Sequence, residues 1–302
     1  MPREVEARRL LNYMKHPAGW FGTEYGFNIY RGCQHGCIYC DSRSECYHVD
    51  DFDNVAVKVN APQLLREELA RKRNRRAVIG TGAMSDPYIP LELEYKLTRQ
   101  CLEIIAERRF PVNICTKSNL ILRDIDVLER LAEVYACVQF TITTTDDELA
   151  AITEPHAPPP SKRFEAMGIL ASVGVKVGLT MMPLLPYINE SAEDMRAIVQ
   201  TAAAHGATFI YPAFGMTLRD RQRAYYYDKL DAHFPGLRAK YEKRFKEYYR
   251  AGVTNYKKMK TALTEACKDN DIFIGMPMYQ QQVTSVQLGF LNNTHQTDEE
   301  QQ

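Results

Sequence analysis

The amino-acid sequence predicts an α/β fold, a partial (β/α)6 barrel of the TIM type with a helical C-terminal extension. Short apolar strands alternate with amphipathic helices over most of the chain, and this alternation is typical of a parallel sheet covered by helices. Six such units fit either an open doubly wound sheet or an incomplete six-stranded barrel, and we expect the barrel. In both folds the functional side chains lie at the carboxyl ends of the strands.

Each predicted element has a local reason. Strands are predicted at short apolar runs, namely residues 27–30, 77–79, 112–116, 138–143, 175–181, 208–211 and 272–274. Helices are predicted where apolar residues recur at helical spacing, namely residues 62–73, 93–108, 124–135, 161–173 and 191–205. Pro62 suits a first helical turn, Asp124 can cap its helix, and Ser191 begins a capping box.

The composition is that of a globular protein with reduced thiols. Hydrophobic residues make up 45% of the 302 positions and charged residues 25%, which is ordinary for a water-soluble domain. The chain has no apolar run long enough to span a membrane and starts with charged residues rather than a signal peptide. We therefore expect a cytoplasmic protein without membrane contact, whose eight cysteines are ligands, reactive thiols or core residues instead of disulfides.

The chain divides into four expected segments: an N-terminal extension at 1–24, the barrel core at 25–215, a basic, tyrosine-rich helical extension at 216–290 and a disordered polar tail at 291–302. Residues 219–260 contain thirteen Lys or Arg and five Asp or Glu, although the whole chain has a net charge of zero. Basic residues interleaved with tyrosines favour nucleic-acid binding, with bases stacked on the rings. Alternatively, the basic face is merely solvated and the tyrosines pack onto the barrel.

The most informative motif is a cysteine triplet directly after the first predicted strand. Cys33, Cys37 and Cys40 have the spacing Cys-x3-Cys-x2-Cys. Thiolates hold iron–sulfur clusters, one for each iron, so three thiolates on a four-iron cube leave one iron open for chemistry. Gly32 and Gly36 would allow the backbone to curl around such a cube.

Two other interpretations of the triplet stay open at this point. A zinc ion would need a fourth ligand, and the nearby candidates are His35, Cys46 and His48. The cysteines could also be small core residues. A different class of protein therefore also stays open, namely a non-catalytic metal-binding module that contacts nucleic acid through residues 219–260.

The triplet, with Tyr39 directly before its last cysteine, resembles the signature of the radical S-adenosylmethionine superfamily. More narrowly, residues 25–215 resemble the spore photoproduct lyase-like, or DNA repair photolyase-like, branch, and the resemblance extends more weakly to about residue 280. It implies a [4Fe–4S] cluster whose open iron binds S-adenosylmethionine. One electron, supplied by a donor such as flavodoxin or ferredoxin, then splits the cofactor into methionine and a 5′-deoxyadenosyl radical, which abstracts a substrate hydrogen.

The resemblance also implies the residues that contact S-adenosylmethionine. Lys117 is the candidate partner of the cofactor carboxylate, and Thr141 and Thr143 compete for one hydroxyl contact. The complete expected set is Tyr39, Ser85, Asp86, Lys117, Thr141, Thr143 and Met181. A solvated lysine, packing threonines and core methionines are the alternatives. The loop from Glu154 to Arg163 resembles one near the active-site mouth of the branch. A proline-rich loop also terminates a strand and fixes a turn, so no catalytic role is assigned to it.

The chain departs from spore photoproduct lyase at two positions. Ala83 stands where the lyase has the cysteine that returns a hydrogen atom, and Asp41 stands where the lyase has a tyrosine after the last cluster cysteine. Alanine cannot donate a hydrogen atom, so the lyase reaction by that route is doubtful. Cys46 is a weak candidate for a substitute donor. The remaining cysteines, Cys101, Cys115, Cys137 and Cys267, are predicted to be core residues.

Overall fold

The structure, a computed structural model, describes residues 2–17, 21–72 and 77–280. The strands are β1 (Arg3–Val5), β2 (Asn12–Tyr13), β3 (Tyr25–Phe27), β4 (Tyr30–Arg31), β5 (Ala56–Lys58), β6 (Ile79–Thr81), β7 (Val112–Thr116), β8 (Ala136–Thr141), β9 (Lys176–Met181), β10 (Phe209–Pro212), β11 (Gly215–Thr217), β12 (Arg250–Gly252) and β13 (Phe273–Ile274). The expected tail at 291–302 and part of the basic run at 71–76 lie outside the described residues.

The helices are α1 (Ala61–Ala70), α2 (Glu92–Tyr95), α3 (Leu97–Glu107), α4 (Ile125–Ala132), α5 (Asp147–Thr153), α6 (Pro160–Ser172), α7 (Ala192–Ala204), α8 (Asp220–His233), α9 (Leu237–Phe245) and α10 (Tyr256–Asp269). Short 3-10 helices cover Asp41–Arg43, Glu45–Tyr47 and Asn119–Asp124. Ser191 caps α7 as predicted, because its hydroxyl accepts from the Asp194 backbone N–H. Asp124 precedes α4 without capping it, because its carboxylate binds Arg99 and Arg123 instead.

One open sheet organises the molecule, and the prediction of a partial barrel is confirmed. Its strand order is β13-β10-β9-β8-β7-β6-β3-β2, so β2 and β13 are the edges. The six central strands run parallel, and β13 continues this direction beside β10. Strand β8 is buried along its whole length, as expected for a parallel sheet with cover on both faces. A three-stranded sheet, β1-β5-β4, and the antiparallel pair β11-β12 complete the fold.

The C-terminal extension differs from a purely helical addition. It contains β11, β12 and β13, and β13 is part of the main sheet. Tyr226, Tyr227 and Tyr241 are buried in a second core that also contains Cys37 and Tyr39. These three rings therefore pack the extension against the cysteine loop and are not available for stacking on bases. None of the helices in the described ranges has the length and apolar character that a membrane crossing requires.

Candidate functional site

The carboxyl ends of the parallel strands open into one cavity of about 600 Å³. Most of the residues that the sequence singles out line it. They are Cys33, Cys37, Tyr39, Cys40, Ser85, Asp86, Lys117 and Thr141. The backbone direction of a parallel sheet thus brings segments from β3 to β8 to a common wall.

The cysteine loop follows β4 and forms one wall of this cavity. Gly32 and Gly36 have φ values of 93° and 66°, so both adopt the left-handed conformations that glycine tolerates best. The loop is held in place from the segment after β8, because Ile38 N donates to Thr153 O at 3.0 Å and His156 N donates to His35 O at 3.1 Å. The prediction that the glycines let the loop turn tightly is confirmed.

The donor set fits an iron–sulfur cube. Burial raises the pKa of the Cys33 thiol to about 12, and it also raises the pKa of Cys37 and Cys40. Iron binding needs thiolates, so metal loading of these buried thiols must release protons. Three thiols on one wall with open space beside them leave room for the exposed iron of a cube. Among the described residues, no group of three His, Cys, Asp or Glu side chains is placed to hold a single ion.

Asp86 holds the end of strand β7. Its carboxylate accepts from Thr116 Oγ1 at 2.7 Å, from Lys117 N at 2.7 Å and from Tyr88 N at 2.9 Å. Ser85 Oγ donates to the Gly32 carbonyl at 2.5 Å and so ties the segment after β6 to the cysteine loop. Because these groups are already bonded, Asp86 acts on the site chiefly by positioning the backbone of Lys117.

A buried ionic cluster, absent from our sequence-based expectations, stands behind Lys117. Glu154 is 2% exposed, its Oε2 lies 2.5 Å from Arg163 Nη2, and its Oε1 lies 4.0 Å from Lys117 Nζ. Tyr39 donates its hydroxyl to Glu154 Oε1, and Arg163 Nη1 donates to the Thr141 carbonyl at 2.8 Å. The loop from 154 to 163, to which the sequence assigned no role, therefore supports three of the candidate cofactor residues. In the sequence, the charged residues Glu154 and Arg163 were the only indication that this loop supports the site.

The side chains of this buried ionic cluster stay charged at neutral pH. Burial alone would raise the pKa of Glu154, but Arg163 and Lys117 outweigh it and lower that pKa below its usual value. Burial would lower the pKa of Lys117, but Cys37 and Glu154 outweigh it and raise that pKa. Lys117 is therefore an ammonium at neutral pH, positioned at the cavity wall to attract an anion.

Three predicted site residues lie outside the cavity lining. Met181 is fully buried in the main core, whereas the next residue, Met182, lines the cavity. Successive residues of a strand point to opposite faces. Thr143 is buried and does not line the cavity, so Thr141 is the threonine of this pair that faces it. Cys46 is exposed, with its Sγ 3.3 Å from Arg219 Nη1, and its assignment as a hydrogen donor stays a prediction.

Cys115 differs from the prediction that it is a core residue. It lines the cavity, and its Sγ lies 3.6 Å from Thr141 Oγ1. Ala83, which replaces the lyase cysteine, lines the same cavity. Its place at the carboxyl end of β7 explains the difference, because Cys115, Thr116 and Lys117 all line the cavity there.

The pair β11-β12 forms the mouth of the cavity. Asp41, at the end of the cysteine loop, accepts from Arg219 Nε at 2.9 Å and from Tyr47 OH at 2.7 Å. It also accepts from the hydroxyl of Thr217 on β11. Arg250 on β12 lines the cavity and is exposed. Within the described ranges no carboxylate pairs with it, so the mouth presents a positive charge to an entering molecule.

Comparisons with known proteins agree with this geometry. The Radical SAM superfamily model matches residues 27–201. An uncharacterized protein of Mycobacterium tuberculosis is 31% identical over 256 residues, covering 82% of this chain and 74% of that protein. A protein of a Pseudomonas phage named Radical SAM Nalpha-GlyT isomerase is 24% identical over 182 residues, covering 60% of this chain and 37% of that protein.

The fold is also similar to that of a solved enzyme. A variant of spore photoproduct lyase with bound AdoMet and dinucleoside spore photoproduct superposes with a TM-score of 0.67. The sequence identity is 15%, and the match covers 91% of this chain and 81% of that one. Enzymes matched by the family model use a [4Fe–4S] cluster and S-adenosylmethionine, and these are the cofactors of this protein. The chain belongs to the radical S-adenosylmethionine superfamily and has the spore photoproduct lyase-like fold.

Proposed function

We propose that the protein cleaves S-adenosylmethionine reductively and abstracts a hydrogen atom from a substrate, in a reaction of the lyase or oxidoreductase type. The observation that carries this proposal is the meeting of three thiols and one ammonium at a single cavity wall. When bound, the cluster supplies an electron and the cofactor supplies the 5′-deoxyadenosyl radical that removes the substrate hydrogen. The protein's own residues bind, orient and shield these groups.

The roles divide by chemistry. Cys33, Cys37 and Cys40 hold the cluster, and the Lys117 ammonium pairs with the cofactor carboxylate. Ser85, Asp86 and Tyr39 fix the backbone and ring positions around it, and Thr141 contributes a hydroxyl at the wall. Thr143 and Met181 support this wall from behind, because both side chains are buried outside the cavity lining.

We propose a nucleotide or a nucleic-acid lesion as the substrate. The similar lyase structure holds a dinucleoside spore photoproduct. In this chain, exposed Tyr248 and Tyr249 directly precede Arg250 at the cavity mouth, which suits stacking on bases next to a phosphate contact. The proposed contact region is thus the exposed part of residues 219–260, and it excludes the buried tyrosines.

Anaerobic reconstitution tests the chemistry. The wild-type protein should bind four irons per chain, and with dithionite and S-adenosylmethionine it should release 5′-deoxyadenosine. Cys37→Ala should lose cluster and cleavage together, whereas Cys46→Ala, an exposed cysteine outside the cavity, should keep both. A Cys37→Ala protein with full iron content and full cleavage would contradict the proposal.

Deuterium transfer tests the substrate. Labelled dinucleotides, nucleotides and peptides are offered separately, and the isotope is sought in 5′-deoxyadenosine. We expect transfer from a dinucleotide or nucleotide. Transfer from a peptide alone would replace the substrate proposal and leave the cleavage chemistry intact.

A further inference from the structure

A fourth cysteine shares the cavity with the three cluster cysteines. Cys115, near the carboxyl end of β7, is partly exposed and lines the cavity. All eight cysteines lie in the described ranges, and none of the other four lines this space. Cys46 is exposed outside it, and the remaining three are buried, namely Cys101, Cys137 and Cys267. Cys115 is therefore the one cavity cysteine that would keep its S–H hydrogen once the cluster is bound.

The packing holds Cys115 beside the proposed cofactor contacts. Its Sγ lies 3.6 Å from Thr141 Oγ1, and Lys117 is two residues further along the chain. On the other side, Gly82 lies against the backbone of Cys115, since a Cβ at Gly82 would overlap the Cys115 carbonyl oxygen. Gly82 also has a φ of 95°, which glycine tolerates best. The thiol is therefore fixed at the wall where we place S-adenosylmethionine.

The chemistry of this thiol suits the transfer of a hydrogen atom. Burial raises the pKa of Cys115, so the sulfur keeps its hydrogen at neutral pH. The S–H bond of a thiol is weaker than the C–H bonds of most organic molecules, so a carbon radical gains energy when it takes this hydrogen. Such a transfer needs the two atoms nearly in contact, and a thiol on the cavity wall meets that condition.

We propose that Cys115 donates a hydrogen atom to the carbon radical that is left in the cavity after the substrate has lost its own hydrogen. This inference rests on the function proposed above. The S–H bond breaks, a C–H bond forms in the product, and the sulfur keeps one unpaired electron. One electron from the low-potential reductant that the cluster chemistry already requires, together with one proton from solvent, restores the thiol. The product therefore carries a hydrogen derived from water.

Isotope transfer in heavy water tests the donor without a known substrate. The reconstituted protein receives dithionite and S-adenosylmethionine in heavy water, where the partly exposed thiol exchanges its hydrogen for deuterium. With no substrate present, the radical carbon of the deoxyadenosyl group should take the deuterium of Cys115. Mass spectrometry should then find deuterium in the 5′-deoxyadenosine formed by wild type. Cys115→Ala and Cys115→Ser should still form 5′-deoxyadenosine but lose the label, because a serine O–H bond is too strong to supply it.

A relocated thiol provides the matched control. Ala83 lines the same cavity, so the double substitution Cys115→Ala/Ala83→Cys returns a thiol to it and should restore the label. Cys46→Ala removes a thiol outside the cavity and should keep the label. An unlabelled product from wild type, a label that persists in both single Cys115 variants, or a label lost only in Cys46→Ala would refute the donor role and leave the proposed function standing.

Two further outcomes separate the donor role from the cofactor chemistry. A Cys115 variant that has full iron content but forms no 5′-deoxyadenosine would assign the thiol to cofactor binding and overturn the donor role. A wild-type protein that forms no 5′-deoxyadenosine would overturn the proposed function itself.

Alkylation gives a readout that does not depend on cleavage. Cluster-free protein is treated with iodoacetamide under native conditions, and peptide mass spectrometry follows each cysteine. Cys115 should react more slowly than exposed Cys46 and faster than Cys101 and Cys137, which are fully buried. If Cys115 reacts no faster than these two core cysteines, its thiol does not face the cavity and the proposal is wrong.

Discussion

Lys117 and Glu154 face each other at the cavity wall, with Nζ 4.0 Å from Oε1. The lysine directly follows strand β7 and the glutamate directly follows helix α5, so the pair joins two separate βα units. Arg163 shares the carboxylate. Glu154 therefore balances buried Arg163 and partly exposed Lys117, and the side of Lys117 that faces the cavity can pair with a bound anion.

Replacing Lys117 by methionine should weaken S-adenosylmethionine binding and leave iron content unchanged. A charge-assisted hydrogen bond contributes about 1.5–3 kcal/mol, so the dissociation constant should rise about 10–100-fold. Calorimetry on the reconstituted protein measures it, and Lys258→Met controls for loss of a surface charge. An unchanged dissociation constant would remove Lys117 from the cofactor set.

Replacing Glu154 by glutamine should destabilise the protein when no iron–sulfur cluster is bound. The change leaves Arg163, which is 1% exposed, without its counter-charge, and breaking a buried pair costs about 3–5 kcal/mol. Urea denaturation measures the free energy of unfolding. Glu165→Gln breaks an exposed pair with Lys162 and should cost about 0–1 kcal/mol. Equal losses of unfolding free energy for the two substitutions would show that the buried ionic cluster stabilises the protein no more than an exposed ion pair does.

The contribution of Glu154 should depend on pH. Its pKa in the folded protein is below the usual 4.5, so its stabilising effect is complete above that value and is lost as the pH falls through the folded-state pKa. The difference in unfolding free energy between wild type and Glu154→Gln should be constant near neutral pH and shrink in acid. A difference that grows on acidification would reverse the assigned sign.

Replacing Arg250 by glutamine should weaken dinucleotide binding while leaving S-adenosylmethionine binding intact. The side chain belongs to β12 at the cavity mouth, an element different from the one that carries Lys117, the proposed partner of the cofactor carboxylate. Loss of one phosphate contact should also reduce the salt dependence of binding. Fluorescence titration of a labelled dinucleotide at several salt concentrations measures both effects. If the affinity of Arg250→Gln falls with salt concentration as steeply as that of wild type, no phosphate is bound at Arg250.

Local pattern explains which elements the sequence predicts well. Strand β7 is predicted at its true bounds because its apolar run is bracketed by Pro111 and Lys117. The single helix expected at 93–108 is instead two, α2 and α3, separated at Lys96, whose φ is 51°. Buried Glu92 accepts from the Thr98 backbone N–H at 3.1 Å. This break depends on a buried carboxylate, and helical periodicity contains no signal for it.

The sequence by itself determined the alternation of the main parallel strands with their helices, the cysteine triplet and the glycines that let its loop turn. All of these depend on residues close together in the chain, where spacing and side-chain chemistry suffice. Only the tertiary structure decided that Glu154 and Arg163 support Lys117 and that Thr141 and Cys115 face the cavity. These relationships join distant segments, and their energies arise from burial and charge pairing that exist only once the sheet has formed.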